Sequence, residues 1–319
     1  MIKTEVTIGK LTLKNPVLVA SGTFGYGDEL IDSIDINKLG GIVTKSLTLK
    51  PKAGNPPPRI AETPCGMLNS IGLANIGVDR FINEKLPLLR NFDTALIVSI
   101  AAKRIEDYCE IIRRLENVDG ADAYEINISC PNVKEGGLEF GTSLSMTAKV
   151  VSETRKTTDK TLIIKLTPNV TRISDFAKVC KEEGADAVSL INTIVGMAID
   201  IRTRKPKLST ITGGLSGPAI KPIALAKVFE VFQNVDIPII GIGGISTWED
   251  AIEFMLAGAR AIQVGTANFV DPTTPLQIIS GIIKYCEENK IQDVNELVGS
   301  VLIDADDNIA KVSFRETTK

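Results

Sequence analysis

The chain has 319 residues, is 44% hydrophobic and 24% charged, and carries a formal net charge of −3. That balance supports a large core and gives no basis for binding nucleic acid or an anionic membrane surface. There is no histidine, so the commonest proton-transfer group near neutral pH is missing, and acid–base work falls to Cys, Lys, Asp, Glu or Tyr.

In chain order, a hairpin comes first, at 6–8 and 11–13 around Gly9-Lys10. Short apolar, β-branched runs then recur at 16–21, 41–45, 95–100, 123–129, 161–167, 186–192, 237–243 and 261–265. Amphipathic helical patterns follow most of them, at 78–86, 104–117, 144–158, 173–183, 218–233, 247–257 and 275–289. Pro87 is expected to end or kink the first helix. Ser174 and Ser246 stand near helix starts, and Pro218 and Pro275 suit first-turn positions. Eight apolar strands alternating with helices imply a parallel sheet covered on both faces, and eight such units imply a closed (β/α)8 TIM barrel. One domain over 1–319 is expected, with the hairpin capping the barrel bottom. The connections at 46–76 and 193–217, after strands two and six, are too long for plain turns, and a further insertion follows strand four.

The five cysteines, Cys65, Cys109, Cys130, Cys180 and Cys286, are scattered, with no C-x-x-C. A reducing compartment is favoured over a disulfide framework, and no metal site is expected. Cys109, Cys180 and Cys286 fall in helical stretches and read as packing residues. Neither an apolar signal core nor a run of ~18 apolar residues occurs, so a cytoplasmic protein without a membrane span is expected.

Functional residues of a barrel come from the carboxyl ends of its strands. Here those ends carry Ala20-Ser21-Gly22, Thr44-Lys45-Ser46, Ser99, Asn127 with Cys130, Lys165, and Asn192-Thr193. Glycine loops at 241–245 and 264–267, after strands seven and eight, let backbone N–H groups approach a phosphate. Asn69, Asn127, Asn132, Asn192 and Thr193 form a neutral set suited to a flat, amide-rich ring, although any one asparagine alone reads as a turn or cap. A strand lysine most often snorkels outward, but Lys45 and Lys165 fall late in apolar runs, toward the active-site end. A free cysteine is usually a small buried hydrophobe. Cys130, however, follows a buried strand and precedes Pro131, where a thiol tuned by cations or N–H donors can act as general base.

Four segments carry a resemblance: T-K-S at 44–46, P-R-I-A-E-T-P-C-G-M-L-N-S-I-G-L-A-N at 58–75, N-I-S-C-P-N at 127–132 and G-G-L-S-G-P-A-I-K-P at 213–222. Over nearly its whole length the chain resembles the soluble dihydroorotate dehydrogenases, FMN-dependent (β/α)8 barrels of pyrimidine biosynthesis. The E-T-P-x-G-M-L-N-x-I-G-L form is similar to the NAD-linked catalytic subunit. The resemblance implies that Cys130 removes the C5 proton of dihydroorotate while hydride leaves C6 for the flavin, giving orotate. Lys45 would touch flavin and substrate. Asn69, Ser70, Ile71, Gly72, Leu73, Asn127, Asn132, Asn192 and Thr193 would hold the substrate. One FMN per subunit would lie against Ala20, Ser21, Gly22, Ser46, Ser99, Asn127, Lys165, Ile191, Gly217, Gly243, Gly244, Gly265 and Thr266. A separate electron-transfer subunit carrying FAD and a 2Fe–2S cluster is implied, around a homodimer core of a heterotetramer. At Ser99 the chain departs from the asparagine of many relatives, and the serine reaches less far. The alternatives are a fumarate-linked soluble relative, another FMN barrel acting on dihydropyrimidines, and a non-catalytic phosphate-binding barrel.

Overall fold

The computed structural model describes residues 2–129 and 140–303. It opens with the antiparallel hairpin β1 (Val6–Ile8) and β2 (Leu11–Leu13). Eight parallel strands then close into a barrel in chain order: β3 (Val17–Val19), β4 (Gly41–Val43), β7 (Ala95–Ile100), β8 (Ala123–Asn127), β9 (Thr161–Lys165), β10 (Ala187–Leu190), β15 (Ile239–Ile242) and β16 (Ala261–Val264). Each falls inside the run expected of it. The hairpin sits at the barrel bottom, where the Lys10 N–H donates to Thr161 Oγ1 and Thr161 Oγ1 donates to the Ile8 carbonyl.

The two long connections build one structure together. β5 (Ile60–Thr63) and β6 (Gly66–Asn69) come from the first. From the second come β11 (Ile194–Met197), the short pair β12 (Ile199–Asp200) and β13 (Lys205–Pro206), and β14 (Thr212–Ser216). Four of them form a sheet in the order β11-β14-β6-β5, with Leu215 opposite Leu68 and Gly214 opposite Asn69, and β12 pairs with β13 apart from it. The insertion after strand four falls largely on residues 130–139, outside those described.

Helical turns wrap the barrel: α1 (Val78–Arg80), α2 (Leu86–Leu89), α3 (Ile105–Glu116), α4 (Leu144–Arg155), α5 (Ile173–Glu182), α6 (Lys221–Asn234), α7 (Trp248–Leu256), α8 (Ala267–Val270) and α9 (Thr274–Glu288). Pro87 does not end the first of them. A π turn, Phe81–Lys85, intervenes, with the Leu86 N–H bonded to the Phe81 carbonyl. Pro87 then lies in the first turn of α2, where its missing N–H is not needed. The cap of α7 is Thr247 rather than Ser246, in a reciprocal box with Asp250. Ser174 is no cap either; it lies within α5 and donates to Glu230.

α3 buries Tyr108, Cys109, Ile111, Ile112 and Leu115, the spacing of one helical face. Its Tyr108 hydroxyl donates to the Asn127 carbonyl at 2.9 Å, so helix packing fixes the end of β8. Phe254 of α7 is fully buried over Gly241 of β15, whose Cβ would lie 2.5 Å from the ring. Losing such a side chain costs about 3–5 kcal/mol. Cys109, Cys180 and Cys286 are buried, and burial pushes each thiol up in pKa, as suits packing residues.

Candidate active site

The carboxyl ends of the strands and the four-stranded sheet enclose one cavity of about 800 Å³, within the ~300–1,000 Å³ that cofactor-sized ligands occupy. Strand ends supply Ala20, Ser21 and Gly22, then Lys45 and Ser46, then Asn127, Lys165, and Ile191 through Thr193. Asn69, Ser70, Ile71, Gly72 and Leu73 line it from the segment that begins in β6. Gly217, Gly243, Gly244, Gly265 and Thr266 line it from the last three connections. Residues scattered over the chain thus face a single space.

The glycine end is built by close approach. Gly244 has φ +76°, and a Cβ there would lie 2.8 Å from Lys221 N and 2.9 Å from the Gly217 carbonyl. The loops after β14 and β15 can meet only because that Cβ is absent. Thr266 Oγ1 donates to Ser216 Oγ at 2.8 Å and ties in the loop after β16. Conversely, a Cβ on Gly22 would meet nothing within 4 Å, and one on Gly265 only Ala20 at 3.8 Å. Those two glycines leave open space along the cavity wall, which suits a flat ligand ending in a phosphate.

The polar wall is internally braced. Asn127 donates to Ser46 Oγ at 3.3 Å and accepts from Ser129 Oγ at 2.9 Å. Asn192 donates to Ser129 Oγ, joining the ends of β8 and β10. Asn69 donates to the Gly214 carbonyl at 3.2 Å. Ser99 is fully buried and bonds Ser46 Oγ at 2.9 Å, so it stands one layer behind the cavity wall. Ser46 in turn lies 3.3 Å from Ser21 Oγ, so three hydroxyls run from the core to the wall.

Two cations define the electrostatics. Lys45 is half-buried, and desolvation draws its pKa below the ordinary lysine value; Arg59 adds to the fall while Glu29 opposes it. Lys165 is buried and ion-paired to Glu125 at 3.4 Å. Glu125 went unassigned in the sequence; its signal is a carboxylate inside an otherwise apolar barrel strand. The lining residues Thr23, Thr212, Ser216 and Phe269 were also missed, because nothing local marks them. Cys130 and Asn132 lie outside the described residues. Among the described residues no cluster of side chains suits a metal, and no helix is long and apolar enough to cross a membrane.

The family profile described as dihydroorotate dehydrogenase matches residues 3–285. A relative from Thermoanaerobacter sp. (strain X514), named dihydroorotate dehydrogenase B (NAD(+)), catalytic subunit, is 55% identical over 300 residues, 94% of this chain and 99% of its own. Relatives of the same name from Geotalea daltonii and Bacteroides fragilis (strain YCH46) are 56% identical over 299 residues and 51% identical over 301. They cover 94% of this chain each, and 98% and 99% of their own lengths.

Proposed function

This chain belongs to the dihydroorotate dehydrogenase family, and on that footing we propose that it is the FMN-binding catalytic subunit of an NAD-linked enzyme that oxidises dihydroorotate to orotate. The observation that carries the reading is the single cavity: a glycine-built anion end, two lysines and an amide-rich wall meet in one space.

The cavity fits FMN through its open wall at Gly22 and Gly265 and its converging loops at Gly217, Gly244 and Thr266. When bound, FMN supplies the acceptor for the hydride that leaves C6. Backbone N–H groups of the glycine loops would bind the phosphate. Ser21, Ser46 and Asn127 present hydrogen-bonding groups to the ring, with Ser99 bracing Ser46 from behind. Lys45 and Lys165 offer positive charge where negative charge accumulates during reduction. Asn69, Asn127, Asn192 and Thr193 line the space that would hold the substrate's carboxylate and ring amides. In the chain, Ser129 is followed directly by Cys130, to which we assign removal of the C5 proton. With no histidine available, a thiolate is the strongest base among the motif's residues. Asn132 would anchor substrate beside it.

Electrons would then leave through a separate subunit, which the relatives' designation of catalytic subunit supports; to that subunit we assign FAD and a 2Fe–2S cluster. A homodimer core within a cytoplasmic heterotetramer completes the reading. The test is reconstitution. The purified chain should retain one FMN, and orotate should perturb the flavin spectrum. A chain that takes up no FMN would sink the proposal.

A further inference from the structure

Glu125 occupies the middle of β8 with no solvent exposure, where a barrel interior ordinarily carries an apolar side chain. A lone carboxylate there would be costly, and this one is not alone. Its Oε1 lies 3.4 Å from Lys165 Nζ of β9. Its Oε2 accepts from Ser189 Oγ of β10 at 2.9 Å and from Gln263 Nε2 of β16 at 2.8 Å. β8 and β16 stand on opposite sides of the barrel, so the last bond crosses its interior. Gln263 gives its N–H to this carboxylate although its own Oε1 then has no partner among the described residues. Four strands thus each commit one buried polar residue to a point below the cavity that Lys165 lines.

An ammonium carries three donors in a flexible four-carbon side chain. Ser189 and Gln263 fix the carboxylate, and the carboxylate fixes the ammonium, which leaves the remaining donors of Lys165 available to the cavity. We propose that Glu125 is a positioning residue that clamps Lys165 against the bound flavin, so that the lysine's effect on negative charge in the ring depends on Glu125. This rests on the FMN reading above.

The test is a two-by-two cycle on FMN-loaded protein, reading the Kd of sulfite, which forms an anionic adduct with bound flavin. Glu125→Gln keeps the shape but cannot hold the ammonium by charge, and should weaken sulfite binding about tenfold. In a Lys165→Met background the same change should shift Kd less than twofold. Ser189→Ala, which removes one donor without altering charge, should weaken sulfite binding about threefold through the same lysine. It serves if Glu125→Gln does not fold. Equal shifts in both backgrounds, tighter binding, or no shift in either carboxylate or serine variant would overturn the clamp while leaving the FMN assignment intact. A wild-type chain that binds no FMN would overturn both.

Discussion

At the residue scale the site is a matter of which groups can hold or move a proton without histidine. Cys130→Ser should leave FMN bound and slow anaerobic flavin reduction by dihydroorotate by ~10²-fold or more at neutral pH, because a hydroxyl is a far poorer base there. Near-normal reduction by that variant, followed by stopped-flow absorbance, would remove Cys130 from the role. Lys45 yields a pH dependence. Burial disfavours its charged form, so its free-state pKa lies below the ordinary 10.5. An anionic ligand binds the protonated lysine, so orotate affinity should be full at low pH and fall as pH rises through that lowered pKa. Lys45→Arg should push the fall to higher pH. An orotate titration giving the same profile for both proteins would detach Lys45 from the ligand. The cavity-lining residues were legible where a polar group stood out against its strand: Lys45, Lys165, Asn127 and Asn192 each stand at or just past the end of an apolar strand. Glu125 stood out equally, but its meaning needs partners from three other strands, which no local pattern shows.

At the element scale, eight apolar runs marked the eight strands, with errors of at most two residues at any end. Strand ends go astray where the chain leaves the ladder but stays buried, as at Thr44 and Thr167. The four-stranded sheet over the cavity was legible only as two overlong connections. Its central pairing, β6 with β14, joins residues about 145 positions apart, as in the Asn69–Gly214 bond, and nothing in either segment names the other. Pro87 does not end the helical segment, because after the π turn it falls in the first turn of α2, where its missing N–H is not needed. The glycine loops after β15 and β16 do line the cavity, and the structure adds why Gly244 must be glycine. Gly244→Ala combines a positive φ with contacts to backbone at 2.8–2.9 Å, and should cost on the order of 2–4 kcal/mol. The variant should melt at a lower temperature and lose FMN on gel filtration. Unchanged melting and retention would show that the loop has room to relax.

At the scale of the whole molecule, the barrel bottom and the barrel top divide the work. The hairpin and the packed helices hold the closed sheet, and the strand ends together with the four-stranded sheet line the cavity. The relatives' designation as a catalytic subunit implies a separate electron-transfer subunit. Expression together with the proposed electron-transfer subunit should give a yellow-brown complex containing FMN, FAD and iron. A lone yellow protein that turns over with fumarate would favour the fumarate-linked reading instead. The central claim, that this cavity oxidises dihydroorotate on FMN, is tested most directly by adding dihydroorotate to the FMN-loaded chain without oxygen and following absorbance near 450 nm. The account predicts bleaching with dihydroorotate and none with dihydrouracil. Bleaching by dihydrouracil alone, or by neither, would contradict it.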